Sequence, residues 1–288
     1  GASTLGLLIP PSIIMIVYGV SAEVSISQLF IAGVLPGILL AALFSGYIML
    51  WALRHPEQVP AADARMSFMQ KLSESRSLIP VVLLIAAVLG SIYTGFATAT
   101  EAAAVGVVGS LVLSAVQGSM TWGTFKDSLM GATRLYCMIA LILAGAAFLT
   151  LAMGYIGLPR HLAEWIASLG LNQAQLIVAL AVFYIILGCF LDGISMVVLT
   201  MGVLMPTVQA AGIDTIWFGI FIVLVVEMAQ ITPPVGFNLF VLQGMTGRQL
   251  PWIAKVAMPM FFLMCGAVAL IYVFPGIVTW LPQQMSAR

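Results

Sequence analysis

The chain has 288 residues, 62% hydrophobic and 7% charged, with ten basic residues balancing ten acidic ones. A soluble domain is nearer half apolar and a quarter charged, and a balanced charge leaves no basic field to attract phosphates. Together with a mean hydropathy of +1.15, these values exclude a soluble globular enzyme, a disordered chain and a nucleic-acid binder, and indicate a polytopic helical membrane protein.

Uncharged stretches such as Glu23 to Arg54, Arg134 to Arg160 and Lys255 to Arg288 each hold the roughly 20 apolar residues that a spanning helix needs. Runs such as Val81 to Leu89 do not alternate polar with apolar, which argues against a membrane β-barrel. In chain order, residues 1–20 are apolar but interrupted at Pro10-Pro11, and Leu29 to Leu53 is a clean span. Arg54 to Arg76 is polar and carries Arg65 and Lys71 among its bases. Ile79 to Ala97 and Ala102 to Val116 read as spans, Trp122 to Arg134 as a polar connector, and Leu135 to Ile156 as another span. Pro159 to Leu169, with Arg160, His161, Glu164 and Trp165, reads as an amphipathic helix in the interface.

Ala174 to Ala210 is cut at Asp192-Gly193 into two arms of about 17 residues, roughly 25 Å each. A re-entrant hairpin fits, and by length so do two short spans. Trp217 to Met245 is broken at Pro233-Pro234, and Trp252 to Trp280 reads as the last span. The lysine and arginine bias places the Arg54–Arg76 loop in the cytoplasm and the C-terminus outside.

Leu8-Ile9-Pro10-Pro11, with Pro36, is matched by Ile231-Thr232-Pro233-Pro234, with Pro259, at an offset of 223 residues. In the orientation above the two copies run in opposite senses, the pattern of an inverted repeat in secondary transporters. Three helices and the hairpin precede the second copy, and nothing precedes the first. The expectation is therefore a C-terminal part of a longer protein, with roughly 140 residues completing a symmetric pair.

Paired prolines remove backbone donors and free carbonyls one turn earlier. In a membrane such breaks persist where they line a cavity or hold a ligand, and freed carbonyls suit a hard cation such as Na⁺. Gly6, Leu8, Pro11 and Ser12 sit at the first break, and Thr232, Val235, Gly236 and Asn238 at the second. Asp192, followed by Ser195, is either a functional intramembrane acid or a helix cap in a turn. Glu227 is a structural pairing partner or a ligand. Glu101, after Thr98 and Thr100, fits a capping box. Cys137, Cys189 and Cys265 lie in apolar runs without metal-ligand spacing, as packing residues do. His55 and His161 lie in polar connectors, and the sequence carries no catalytic constellation or phosphate loop. The expectation is a non-enzyme without a cofactor.

The segments Leu5-Gly6-Leu7-Leu8-Ile9-Pro10-Pro11-Ser12, Leu191-Asp192-Gly193-Ile194-Ser195 and Thr232-Pro233-Pro234-Val235-Gly236-Phe237-Asn238 resemble the large membrane subunit of tripartite ATP-independent periplasmic (TRAP) transporters. Thr100-Glu101-Ala102-Ala103 and Pro36-Gly37 extend the resemblance through the chain. It implies an all-α, inverted-repeat, elevator-type transporter of the bacterial inner membrane, driven by more than one Na⁺ as coupling ion. It also implies three partners: a small membrane subunit, a periplasmic solute-binding protein, and an organic acid such as a C4-dicarboxylate, a sugar acid or a sialic acid.

On this resemblance, Gly6, Leu8 and Pro11 form one Na⁺ site. Asp192, Ser195 and Thr232 help form another, with Gly236 nearby, and Ser12 and Asn238 face the substrate. The implied organisation has transport-domain segments at 1–20 and 174–250, and scaffold and connecting helices at 21–53, 79–156 and 251–288. A cytoplasmic linker fills 54–78 and an interfacial helix 157–173. Ala99 and Gly202 stand where the family commonly has proline, and the first hairpin is absent from this chain. Two rival readings are a carrier of the same superfamily working without a binding protein and a membrane component without ion coupling.

Overall fold

The computed structural model of the chain describes residues 2–58, 70, 75–233 and 236–286. Arg65 and Lys71, and Pro234 and Val235 of the second break, lie outside the described residues. Among the described residues, regular structure consists of helices only. Five of these helices are long and apolar enough to cross a membrane.

The first break separates α1 (Ala2–Leu8) from α2 (Ile13–Ser21), and α3 (Ile26–Arg54) follows. After two short 3₁₀ turns come α4 (Ile79–Tyr93), α5 (Ala99–Val116), α6 (Trp122–Ile156) and α7 (Leu158–Ser168). Next are the two arms of the predicted hairpin, α8 (Gln173–Leu187) and α9 (Gly193–Ala210). The second break separates α10 (Thr215–Gln230) from α11 (Phe237–Thr246), and α12 (Leu250–Val273) and α13 (Gly276–Ser286) end the chain. Adding 223 to the starts of α2 and α3 gives 236 and 249, one residue short of the starts of α11 and α12. Pro36 and Pro259 fall inside α3 and α12.

The chain divides into two compact units, residues 1–44 with 136–288, and residues 45–135. In the first unit α10 is the central post. Trp217 to Gln230 are all buried, as expected of a helix apolar on every side, and α1, α2, α8, α9, α12 and α13 all pack on it. Its N-terminus is capped by Asp214, which accepts from the Trp217 N–H at 2.8 Å. The Tyr18 hydroxyl donates to the Thr215 carbonyl at 2.7 Å, and the Trp217 indole N–H donates to the Ile271 carbonyl at 2.9 Å. These bonds tie α2 and α12 to the same post. The two arms are tied together by a hydroxyl pair, Tyr184 with Thr200.

In the second unit α4 and α5 pack together, with Leu84 seated against Gly109. The Thr98 N–H and hydroxyl each donate to the Glu101 carboxylate at 2.8 Å, and the Glu101 N–H donates back to Thr98 Oγ1 at 3.3 Å. This is the capping box expected there, and it starts α5 at Ala99 rather than Ala102.

Three further element boundaries differ from expectation. The predicted connector Trp122 to Arg134 is the first third of one continuous 35-residue helix. That stretch contains no proline, and Thr121 caps it by accepting from the Thr124 N–H at 3.1 Å. At 1.5 Å per residue the helix is about 52 Å long, so a polar end can extend past a core of about 30 Å. The last span ends at Val273 because Pro275 pushes Phe274 to φ −122°, ψ 71°, which leaves Trp280 in a separate helix. The span expected over Ile79–Ala97 ends at Tyr93, where Gly95 takes φ +72°. Helix α7 carries an exposed Arg160–Glu164 ion pair at 2.8 Å and packs on α9.

The Tyr18 ring packs against Gly219 of α10. A Cβ there would sit 2.6 Å from that ring and 2.7 Å from Leu29 Cδ2, and the ring is held at its hydroxyl. In the full-length protein, Gly219→Ala lowers stability by about 1–3 kcal/mol, the range for overpacking. Gly266→Ala, where a Cβ meets nothing within 4 Å, is neutral or stabilising by up to about 1 kcal/mol. Thermal unfolding in detergent reads both, and equal melting temperatures would contradict this packing.

Candidate functional site

The first break, the turn between the two arms and the second break come together in the first unit. A Cβ on Gly193 would lie 2.6 Å from Gln230 Nε2, 2.7 Å from Val226 Cγ1 and 3.0 Å from Ile14 Cδ1. Atoms of α2, α9 and α10 therefore share one point of contact. The Cys189 thiol reaches the Pro233 carbonyl at 3.8 Å. Between these stretches lies a cavity of about 530 Å³, within the usual range of a small-molecule site. Leu7, Ile13 and Ile14 line it from the first break, and Asp192, Gly193 and Ile194 from the turn. Gln230 and Asn238 line it from the second break. Asp192 is the one charged residue among those lining it.

At the first break Pro10 and Pro11 deprive the Gly6 and Leu7 carbonyls of their helical donors. The Ser12 hydroxyl donates to the Leu7 carbonyl and accepts from the Met15 N–H at 3.4 Å. Ser12 thus closes the end of α1 and caps the start of α2 from a position 1% exposed. The Leu8 carbonyl faces Gly33 of α3, 3.0 Å from where a Cβ would be. Gly6 and Pro11 are exposed.

At the turn Asp192 is the N-cap of α9. Its carboxylate accepts from the Ile194 N–H at 3.1 Å, the Ser195 N–H at 3.2 Å and the Ser195 hydroxyl at 2.5 Å. Of the two roles left open for this acid, capping is the one seen.

The second break concentrates carbonyls. Residue 234 is proline, so the Gln230 carbonyl lacks its helical donor. Gly236 takes φ +44°, and a Cβ there would be 2.9 Å from the Thr232 carbonyl oxygen and 3.1 Å from the Gln230 carbonyl oxygen. Both the left-handed backbone and the converging oxygens require glycine. The Thr232 hydroxyl donates to the Met228 carbonyl at 2.6 Å and keeps lone pairs free.

Of the expected site residues, Asp192 and Asn238 line the cavity. Gly6, Leu8, Pro11, Ser12, Ser195, Thr232 and Gly236 lie at the breaks and the turn but do not line it. Glu227 is fully buried against the Leu8 backbone. Neither of its carboxylate oxygens has a hydrogen-bond partner among the described residues. Gln230 was not singled out by the sequence reading, although its place directly before a proline break is visible there.

The family described as the DctM component of the tripartite ATP-independent periplasmic transporter matches residues 1–277. The chain is 32% identical over 286 residues to the C4-dicarboxylate TRAP transporter large permease protein DctM of Pseudomonas aeruginosa, covering 99% of this chain and 66% of that protein. It is 29% identical over 280 residues to the isethionate TRAP transporter permease protein DctMQ of Oleidesulfovibrio alaskensis, covering 96% and 43%. It is 34% identical over 287 residues to the ectoine/5-hydroxyectoine TRAP transporter large permease protein UehC of Ruegeria pomeroyi, covering 97% and 65%. The chain thus spans at most about two thirds of the length of these relatives. It belongs to the DctM family of TRAP transporter large permeases.

Because Asn caps a helix as well as Asp does, substitutions at residue 192 separate the cap from the charge. Asp192→Ala in the full-length protein lowers stability by about 1 kcal/mol, and Asp192→Asn by a few tenths at most. Thermal unfolding distinguishes them. If both fall equally, the carboxylate contributes to the fold through something other than the cap.

Proposed function

We propose that this chain is the greater part of the membrane permease of a sodium-coupled, binding-protein-dependent importer of organic acids in a bacterial inner membrane. The observation that carries the proposal is the meeting of two proline-broken helices and a capped turn around one cavity. A transporter needs a site that both faces of the membrane can reach in turn, and broken helices at the middle of a repeat supply one.

The donors at the second break fit Na⁺, a hard cation that takes oxygen ligands as Ca²⁺ and Mg²⁺ do. The Gln230 and Thr232 carbonyls and the Thr232 hydroxyl would hold one ion, with the Asp192 charge offsetting it and Ser195 and Gly236 shaping the turn. At the first break the Gly6 carbonyl is the freed group that Ser12 does not take. Gly6, Leu8 and Pro11 would form the wall of a second ion site. Sodium bound at either break lowers the cost of bringing an anion into a cavity without fixed cations. Asn238 would contact the substrate, and Ser12 would hold the break open beside it.

The relatives carry C4-dicarboxylate, isethionate and ectoine in their names, so a small organic acid is the substrate class. A periplasmic binding protein would deliver it, and a small membrane subunit would brace the scaffold. The body built on α10 would move as the elevator, carrying both breaks and the turn together through the bilayer.

The test is uptake by the complete transporter in proteoliposomes. Thr232→Val keeps the shape of the side chain and removes its hydroxyl. It raises the Na⁺ concentration for half-maximal uptake roughly tenfold, the effect of about 1.4 kcal/mol. Unchanged Na⁺ dependence would overturn the site assignment, and uptake indifferent to a Na⁺ gradient would overturn the coupling.

A further inference from the structure

Two carboxamides line the cavity with no hydrogen-bond partner among the described residues. Gln230, the last residue of α10, is 9% exposed and lines the cavity, and its side chain makes no hydrogen bond among the described residues. Its Nε2 lies over Gly193, where a Cβ would be 2.6 Å away. Glycine at the turn is therefore what admits the amide. Asn238, half-buried at the start of α11, lines the same cavity, and its side chain also makes no hydrogen bond among the described residues. An unpaired buried amide is destabilising unless something bonds it.

The bonding capacity of this wall selects among organic acids. Each carboxamide offers two N–H donors and one carbonyl acceptor, whereas a carboxylate offers acceptors alone. Asp192 adds a further acceptor, and no lysine, arginine or histidine is among the lining residues. A plain dicarboxylate would leave both amide carbonyls unmatched and set its second charge beside Asp192. A hydroxyl both donates and accepts, so it can pair with an amide at each end.

We infer that Gln230 is a specificity-determining residue of the substrate site and that it selects a hydroxylated organic acid, its carboxamide pairing with substrate hydroxyls beside Asn238. The inference rests on the cavity being the substrate site of a Na⁺-driven carrier.

The experiment compares succinate, tartrate and gluconate as probes. The first two differ only in hydroxyl groups, and the third is a singly charged polyhydroxy acid. Na⁺-driven uptake is measured with the complete transporter in proteoliposomes. Binding to the purified membrane complex without its binding protein is read as a thermal shift, which isolates the permease's own preference. The hydroxylated acids are expected to bind and be taken up at least tenfold better than succinate. Gln230→Leu, and the shape-matched Gln230→Met, raise KM for the hydroxylated acid about tenfold and abolish its preference over succinate. Succinate equal to tartrate, or both variants with wild-type KM and selectivity, would overturn the inference while leaving the carrier function standing. Absence of Na⁺-driven uptake of all three acids by the wild-type transporter would overturn the carrier function itself, and the inference with it.

Discussion

A peptide group left without a partner in hydrocarbon is destabilising by several kcal/mol, and this chain interrupts its helices at two proline pairs and one turn. Each interruption is repaired by a side chain one or two residues away. Ser12 spans the first break, bonding the Leu7 carbonyl and the Met15 N–H. Asp192 takes the first free N–H groups of α9. Thr232 turns its hydroxyl back onto the Met228 carbonyl, and Gly236 gives up a side chain so that two carbonyls can converge. The irregular backbone is thus surrounded by its own polar groups, so it survives in a chain that is 62% hydrophobic.

Those repairs would be of little use if the interruptions drifted apart, and α10 prevents that. It is too short to be a conventional span but is buried along almost its whole length. Its N-terminal end is fixed by Tyr18 and Trp217 through hydrogen bonds to backbone carbonyls, and its C-terminal end is the second break. The tight approach of Gly188 to Ala229, and of Gly193 to Gln230, seats the turn on that same end. One buried helix therefore sets the register between both breaks and the turn, and the cavity is where their repaired ends meet.

Much of this was legible in the sequence for a definite reason. Proline pairs, an acid followed by glycine and a threonine three residues before a glutamate each act through local backbone chemistry, so both breaks, the turn and the α5 cap fell where expected. The misplaced boundaries lacked such a signal. The charges of Trp122 to Arg134 mark contact with water or headgroups, but a helix can continue through them, as α6 does. The division of the last span depended on Pro275, which a run of apolar residues on both sides disguised. Gln230 escaped because its meaning is tertiary. An amide at a helix end is unremarkable until Gly193, about forty residues earlier in the chain, leaves room for it to face a cavity.

The polar groups of the interior fall into two sets. Ser12, Asp192, Ser195 and Thr232 are engaged in bonds that hold the breaks, and what they can offer a ligand is the capacity left over. Gln230 and Asn238 make no side-chain hydrogen bond among the described residues and open onto the cavity, so their bonding capacity is left for a ligand. Glu227 belongs to neither set. Its carboxylate has no hydrogen-bond partner among the described residues, but it is fully buried and does not line the cavity. It lies against the Leu8 backbone, directly behind the first break. A charge there would act on the break through a few ångströms of low-dielectric packing, where electrostatic effects are strongest.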